Sequence, residues 1–475
     1  MSATHTLADE TRQAVDALLD GQHWANAQSS QRLHFHGHVP AFDSAHKLTV
    51  SAASAIGAYA LGVEQWWHMA HGQHQSVALD WMQAACSLNP GHFQKQSGYV
   101  LPALSLLTEL KADFYRTQDA RWFFPIGSYP HLRDGVLDLL QCANTAEALA
   151  NAIGKWEAHA LEEAFAERKL PGIYARSAQE WLDHPQGRLL AGKPVIEVEK
   201  IGDSEAEAPR ACTRPLDGIR VLDLGHVIAG PIVARSLAEH GADVLRVTSP
   251  TIQDPFRQTV DTNIGKRSAF LDFDRPVDLA RARELISGAD VVVQSWRPGS
   301  LKARGLGAED AAAIRPGVIY VTVTAFGDDG PWGARGGFEQ LGQAVSGVAV
   351  NEGGNGKPSV VPTYLLNDYL TGYLGAAGVM MALIRRAAEG GSYHVRISLA
   401  RTSMWVQSLG LEPGYTPGQP RRHFADNLAP MLETRDSAYG PLEQLPPVAQ
   451  FSHTPASWRL PPAPNGAHFP QWLKP

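Results

Sequence analysis

Between Leu216 and Val247 the sequence spells a strand, a tight turn, a helix and a second strand, and few folds can absorb that order. Leu216-Asp217-Gly218-Ile219-Arg220-Val221-Leu222-Asp223-Leu224 is a short apolar run closing on an acid. Gly225 to Gly230 form the turn, Pro231 stands where a helix begins, and that helix reaches His240. Gly241 to Val247 supply the next strand. Two parallel strands need such a crossover, which is right-handed almost without exception. The unit predicts an open parallel sheet that takes ligands at the carboxyl ends of its strands. Free amides where the helix starts favour an anion there.

More units of the same kind follow. Asn263-Ile264-Gly265-Lys266-Arg267-Ser268 precedes a strand expected at Ala269–Asp272, a helix from Val277 to Ser287, and the strand Ala289–Val293. That strand runs into Ser295-Trp296-Arg297-Pro298-Gly299. Gly305-Leu306-Gly307, Arg315 to Tyr320, Val323 to Gly327 and Gly330-Pro331 complete the series. Taken in order over residues 215–400, these motifs resemble the class III (formyl-CoA transferase-like) family of coenzyme A transferases. The resemblance implies an α/β fold: a Rossmann-like open parallel sheet with helices on both faces, plus a small α+β domain.

A chain of 475 residues exceeds one ordinary core. Five stretches are expected: a degenerate partial copy of the large domain (1–105), a small α+β domain (106–200), a polar linker (201–214), the Rossmann-like CoA-transferase domain (215–410) and an extended Pro-rich tail (411–475). The first stretch is read as a copy because Ser51–Met69, Ser76–Asp80 and Trp81–Ser87 repeat the order and spacing of Asp368–Ala388, Tyr393–Ser398 and Leu399–Met404. Gly57 answers Gly375, and the position opposite Asp368 falls near Val50. In the second stretch, Asn144 with Glu147 and Ser177 with Glu180 read as capping boxes, the first opening a helix over Ala148–Lys169.

The net charge of −7 offers no bulk attraction to nucleic acid or to an anionic membrane, so neither is expected as a partner. Three scattered cysteines, Cys86, Cys142 and Cys212, suit a reducing cytoplasm rather than a disulfide framework. The start lacks a basic region followed by an apolar core, and Tyr369–Ile384 is too short to span a bilayer. His34, His36 and His38, and likewise His68, His71 and His74, share a face without a Cys or carboxylate set at metal-site spacing, so no metal is expected. Gly265-Lys266-Arg267-Ser268 lacks the first glycine of a phosphate loop.

The resemblance implies the chemistry. It makes Asp368, in Leu366-Asn367-Asp368-Tyr369, the nucleophile that attacks an acyl-CoA thioester, with Glu339 as the second catalytic carboxylate. It implies coenzyme A contacts from His226, Val227, Ile228 and Ala229, from Leu271 and Asp272, from Ser295, Trp296 and Arg297, and from Lys302 and Arg304. Arg257, Lys266 and Arg267 are further candidates for its phosphates. Coenzyme A is then a substrate thioester, and the partners are an acyl-CoA and a carboxylic acid. On the residue alone, an aspartate at a helix start is more readily a cap than a nucleophile, and the surrounding resemblance reverses that weighting. The chain departs from the family pattern at Thr248-Ser249, at Arg335, and in the shielding glycine loop, whose nearest counterpart is Gly414–Gly418. Two alternatives stand beside CoA transfer. One is a 2-methylacyl-CoA racemase, for which Phe338 occupies the place of the proton-exchanging His; the other is a decayed paralogue that binds CoA esters. The resemblance leaves open a homodimer or a single chain that imitates one.

Overall fold

The computed structural model describes residues 3–26, 28–102, 109–252, 254–353, 356–416 and 428–473. Its largest sheet has seven strands in the spatial order Lys266–Phe270, Asp243–Thr248, Arg220–Asp223, Val291–Gln294, Ile319–Thr324, Ser392–Ser398 and Glu197–Gly202. The first six are parallel. Val221, Leu222, Val291, Val292, Val293, Ile319 and Val321 have no exposed surface, as strands covered by helices on both faces require. The expected all-parallel sheet therefore gains one antiparallel edge. Glu197–Gly202, assigned by sequence to the small domain and the linker, pairs with Ser392–Ser398. Its charges misled the reading: Glu197, Glu199 and Lys200 suit an edge with only one neighbour, where charge discourages further pairing.

A second shift has the same origin. The strand expected at Ala269–Asp272 runs instead over Lys266–Phe270. Lys266 and Arg267 look like loop residues, yet both are buried in ion pairs, Lys266 with Asp223 at 2.7 Å and Arg267 with Asp243 at 2.9 Å. Pairing offsets much of the penalty of desolvating them.

The small domain holds an antiparallel sheet of Tyr115–Arg116, Trp122–Pro125 and Gly172–Tyr174 over a core of Phe123, Leu149, Leu161 and Phe165. The Ser177–Glu180 capping box is formed in both directions. The Asn144 box is not. Thr145 caps the helix Ala146–Ile153, the chain breaks at Gly154, and a separate helix covers Ala158–Glu167. Asn144 instead accepts from the Lys111 amide and donates to the Glu109 carbonyl.

Before the small domain, Leu33–His36 lies parallel to Val77–Asp80, and the helix Leu48–His71 connects them. The large sheet contains the same unit: Ile319–Thr324 lies parallel to Ser392–Ser398, and the helix Asn367–Glu389 precedes the second strand. One constant offset carries Gly57 onto Gly375, the C-cap Gly72 onto the C-cap Gly390, and the N-cap Asp80 onto the N-cap Ser398. The same offset pairs Gly62 with Met380, and these two meet: a Cβ on Gly62 would lie 2.6 Å from the Met380 Cβ. Equivalent residues touching one another mark a local pseudo-twofold axis between the two long helices.

The last stretch differs from an extended surface tail. Its described part forms the short strands Glu433–Arg435, Leu442–Gln444 and Ala449–Phe451, and the last pairs antiparallel with Val77–Asp80. Leu442, Ala449 and Phe451 alternate into the core, a pattern hidden among prolines. Among the described residues no helix is long and apolar enough to cross a membrane.

Candidate active site

The helix Asn367–Glu389 brings Asp368 to the floor of a cleft in its first turn, where the positive end of the helix dipole favours negative charge. Glycines allow this placement. A Cβ on Gly372 would meet Ile232 at 2.5 Å, and one on Gly375 would meet Val233 at 2.6 Å. The helix Ala229–Ala238 therefore packs tightly on the Asp368 helix, and the turn in front of it overhangs the carboxylate.

Glu339 opens the neighbouring helix, Glu339–Ser346, and is 2% exposed. Its Oε2 accepts from the Asp368 backbone N–H at 2.6 Å, and its Oε1 accepts from Gln343 Nε2 at 2.7 Å. Asn367 Nδ2 donates to the Glu339 carbonyl at 3.1 Å, while Ser403 holds the Asn367 carbonyl oxygen at 2.7 Å. Glu339 thus fixes the backbone of Asp368 and leaves the aspartate's carboxylate alone. Among the described residues none donates a hydrogen bond to that carboxylate. Burial pushes the Asp368 carboxyl well above the usual carboxylate range, and the Glu339 charge pushes it further. Glu339 is also raised by burial, against the hydrogen bonds it accepts. Those bonds favour its ionised form, while the Asp368 carboxylate accepts none among the described residues.

The cleft above Asp368 encloses about 570 Å³. Of the residues expected at coenzyme A, His226, Val227, Ala229, Ser295, Trp296 and Arg297 line it. The His226 N–H donates to Ser295 Oγ at 3.0 Å, and Ser295 Oγ returns a bond to the His226 carbonyl at 3.1 Å. The Trp296 indole donates to the Leu224 carbonyl at 2.6 Å. Val227 has φ of 63°, a strained state for a β-branched residue, and its N–H is held by Asp254 at 3.1 Å. Asp254 is itself clamped by Arg246 at 2.5 Å and by the Tyr129 hydroxyl at 2.8 Å.

The other expected residues stand apart. Ile228 is buried and borders a smaller cavity of about 100 Å³ that also reaches Asp368. Leu271 packs into the core, and Asp272 accepts from the Asp274 amide. Lys302 lies 3.7 Å from Glu309 and lines a neighbouring cleft of about 620 Å³ that shares Arg297 and Pro298 with the first; Arg304 pairs with Asp274 at 2.7 Å near the surface. Lys266 and Arg267 are engaged inside the sheet, and burial lowers the Lys266 ammonium to about 8. Gly418, in the candidate shielding loop, lies outside the described residues.

Sequence reasoning missed the facing wall. Tyr129, His131, Leu132, Lys169 and Pro171 of the small domain close the cleft, and Glu109 and Tyr364 line the smaller cavity. No motif announced them, because they approach from a domain placed earlier in the chain. One His and carboxylate group, His159 with Glu162 and Glu163, could in principle hold an ion, but Arg176 and Arg335 already pair its two glutamates.

Residues 216–437 match the family model of CoA-transferase family III. An acetyl-coenzyme A transferase of Hypoxylon pulicicidum is 34% identical over 338 residues, which are 66% of this chain and 57% of that protein. The beta subunit of succinyl-CoA–L-malate CoA-transferase of Chloroflexus aurantiacus is 36% identical over 43% of this chain and 53% of its own length. A solved CAIB/BAIF family protein from Brucella suis is 27% identical with a TM-score of 0.37, over 48% of this chain and 65% of that one. The chain spans about half the length of the curated relatives it matches. The stretch 216–437 is thus similar to CoA-transferase family III.

Proposed function

We propose that this protein moves coenzyme A from an acyl-CoA to a carboxylic acid through a covalent intermediate on Asp368. The observation that carries the proposal is a buried helix-start carboxylate, free of donors, on the floor of a cleft lined by the turn His226–Ala229 and by Ser295–Arg297. The names of the relatives, all CoA transferases, support the same reaction class.

The thioester's energy is conserved only if a carboxylate, not water, takes the acyl group. An Asp368 oxygen attacks the thioester carbonyl, the C–S bond breaks, and coenzyme A leaves as its thiolate, giving a mixed anhydride. The thiolate then attacks the aspartyl carbonyl and expels the donor acid as its carboxylate. The aspartyl-CoA thioester reacts with the incoming carboxylate, again through an anhydride and a thiolate, so that a new acyl-CoA leaves and Asp368 is restored. Before attack Asp368 must lose its proton, so turnover rises with pH through the raised Asp368 ionisation. Incubation with acyl-CoA and hydroxylamine, followed by peptide mass spectrometry, tests the proposal: a hydroxamate at Asp368 is expected, and its absence with every ester would refute the mechanism.

A further inference from the structure

We propose that the acid handled at Asp368 is a short hydroxylated monocarboxylic acid, and that Glu109 in the smaller cavity excludes acyl groups bearing a second free carboxylate. This rests on the CoA-transfer reading and narrows it to a substrate class.

Asp368, Tyr129, Val227 and Phe338 stand at both cavities. His226, Ser295, Trp296 and Arg297 line only the larger one, so the pantetheine arm enters from that side. The acyl group beyond the thioester carbonyl then points into the smaller cavity. Its volume of about 100 Å³, against about 570 Å³ for the larger cleft, suits an acyl chain much shorter than the pantetheine arm.

The lining sets the chemistry. Among the described residues, no Lys, Arg or His borders this cavity. Lys111, whose charge reaches Glu109, is not among the lining residues. The cavity's ionisable groups are Glu109, Glu339, Asp368 and the tyrosines 129 and 364. A second carboxylate would sit among acids with no counter-charge, where low effective dielectric magnifies repulsion and desolvation is costly. A hydroxyl meets the opposite situation. Glu109 Oε1 and Gln258 Oε1 are buried acceptors without hydrogen-bond partners, and a hydroxyl on the acyl chain would donate to one of them.

Three esters separate the features: butyryl-CoA, 3-hydroxybutyryl-CoA and succinyl-CoA, which differ little in length. With the full chain, kcat/KM for 3-hydroxybutyryl-CoA should exceed that for butyryl-CoA by roughly tenfold and that for succinyl-CoA by roughly a hundredfold. In Glu109→Gln, the deficit of succinyl-CoA relative to butyryl-CoA should narrow by about tenfold. A ratio cancels any general loss of folded enzyme. Succinyl-CoA used as well as 3-hydroxybutyryl-CoA, or an unchanged ratio in Glu109→Gln, would overturn the charge exclusion. Equal use of butyryl-CoA and 3-hydroxybutyryl-CoA would overturn the hydroxyl preference. Failure of all three esters to label Asp368 would overturn both this inference and the CoA-transfer reading.

Discussion

The unit Leu33–Asp80 and the unit Ile319–Ser398 share a topology, a strand register, one helix glycine (Gly57 against Gly375) and a C-cap glycine after each long helix, yet they differ in their chemical equipment. In the later unit the chain between strand and helix covers residues 325–366 and includes the helix that opens on Glu339. In the earlier unit residues 37–47 bridge the same gap, leaving no room for that helix. At the helix start, the offset that matches the glycines sets Val50, 2% exposed, against Asp368. A βαβ crossover therefore supplies a scaffold and a helix dipole, and under the proposed function the inserted connection with one substituted side chain would supply the reactivity. The two helices press together across their pseudo-axis, so the earlier unit buries the later one's helix whether or not it carries chemistry of its own.

The comparison can be broken most severely at Asp368. Asp368→Asn should lower kcat by roughly 10⁴-fold while leaving acyl-CoA binding within a few-fold, read by transfer assay and equilibrium titration. Retained turnover would return this aspartate to the role of a cap. Next in size is Val50→Asp, which restores the missing carboxylate to the earlier unit. With no Glu339 equivalent and no cleft to open into, it should destabilise the fold by about 3 kcal/mol or more and add no second labelled site. Denaturant unfolding and mass spectrometry read the two halves of that expectation.

Glu339→Gln sharpens the electrostatic part. Burial is the larger cause of the raised Asp368 ionisation, and the Glu339 charge adds to it. Removing that charge lowers the pKa of Asp368, so the acid limb of the kcat profile should move to lower pH. A limb that stays in place would mean the Glu339 charge does not act on Asp368. The smallest effect is expected at the crossing of the two helices. Gly62→Ala places a methyl against the Met380 Cβ, where the backbone of both helices limits escape, and should cost about 1–3 kcal/mol of stability.

Much of this fold was legible because it follows apolar periodicity. The strands at 220–223 and 291–294 and the helix at 276–287 fall within a few residues of their sequence-based positions. What escaped was polar residues doing buried work. Lys266 and Arg267 read as a loop because their partners, Asp223 and Asp243, lie on other strands. Asn144 read as a cap because nothing local shows its bonds to residues 109 and 111. Asp368 and Glu339, the carboxylates of the proposed mechanism, were singled out from motif order, and the structure brings Glu339 against the Asp368 backbone. Glu109, Tyr129 and Lys169 were not, since their proximity to Asp368 arises only when the small domain folds over the cleft.

The central claim is that one carboxylate, in one of two matching crossovers, carries the covalent step. Intact-protein mass spectrometry after mixing with an acyl-CoA and trapping with borohydride tests it most directly, with peptide mapping of the product. The account predicts one modification per chain, at Asp368, and none in the peptide containing Val50. A modification elsewhere, or two per chain, would contradict it.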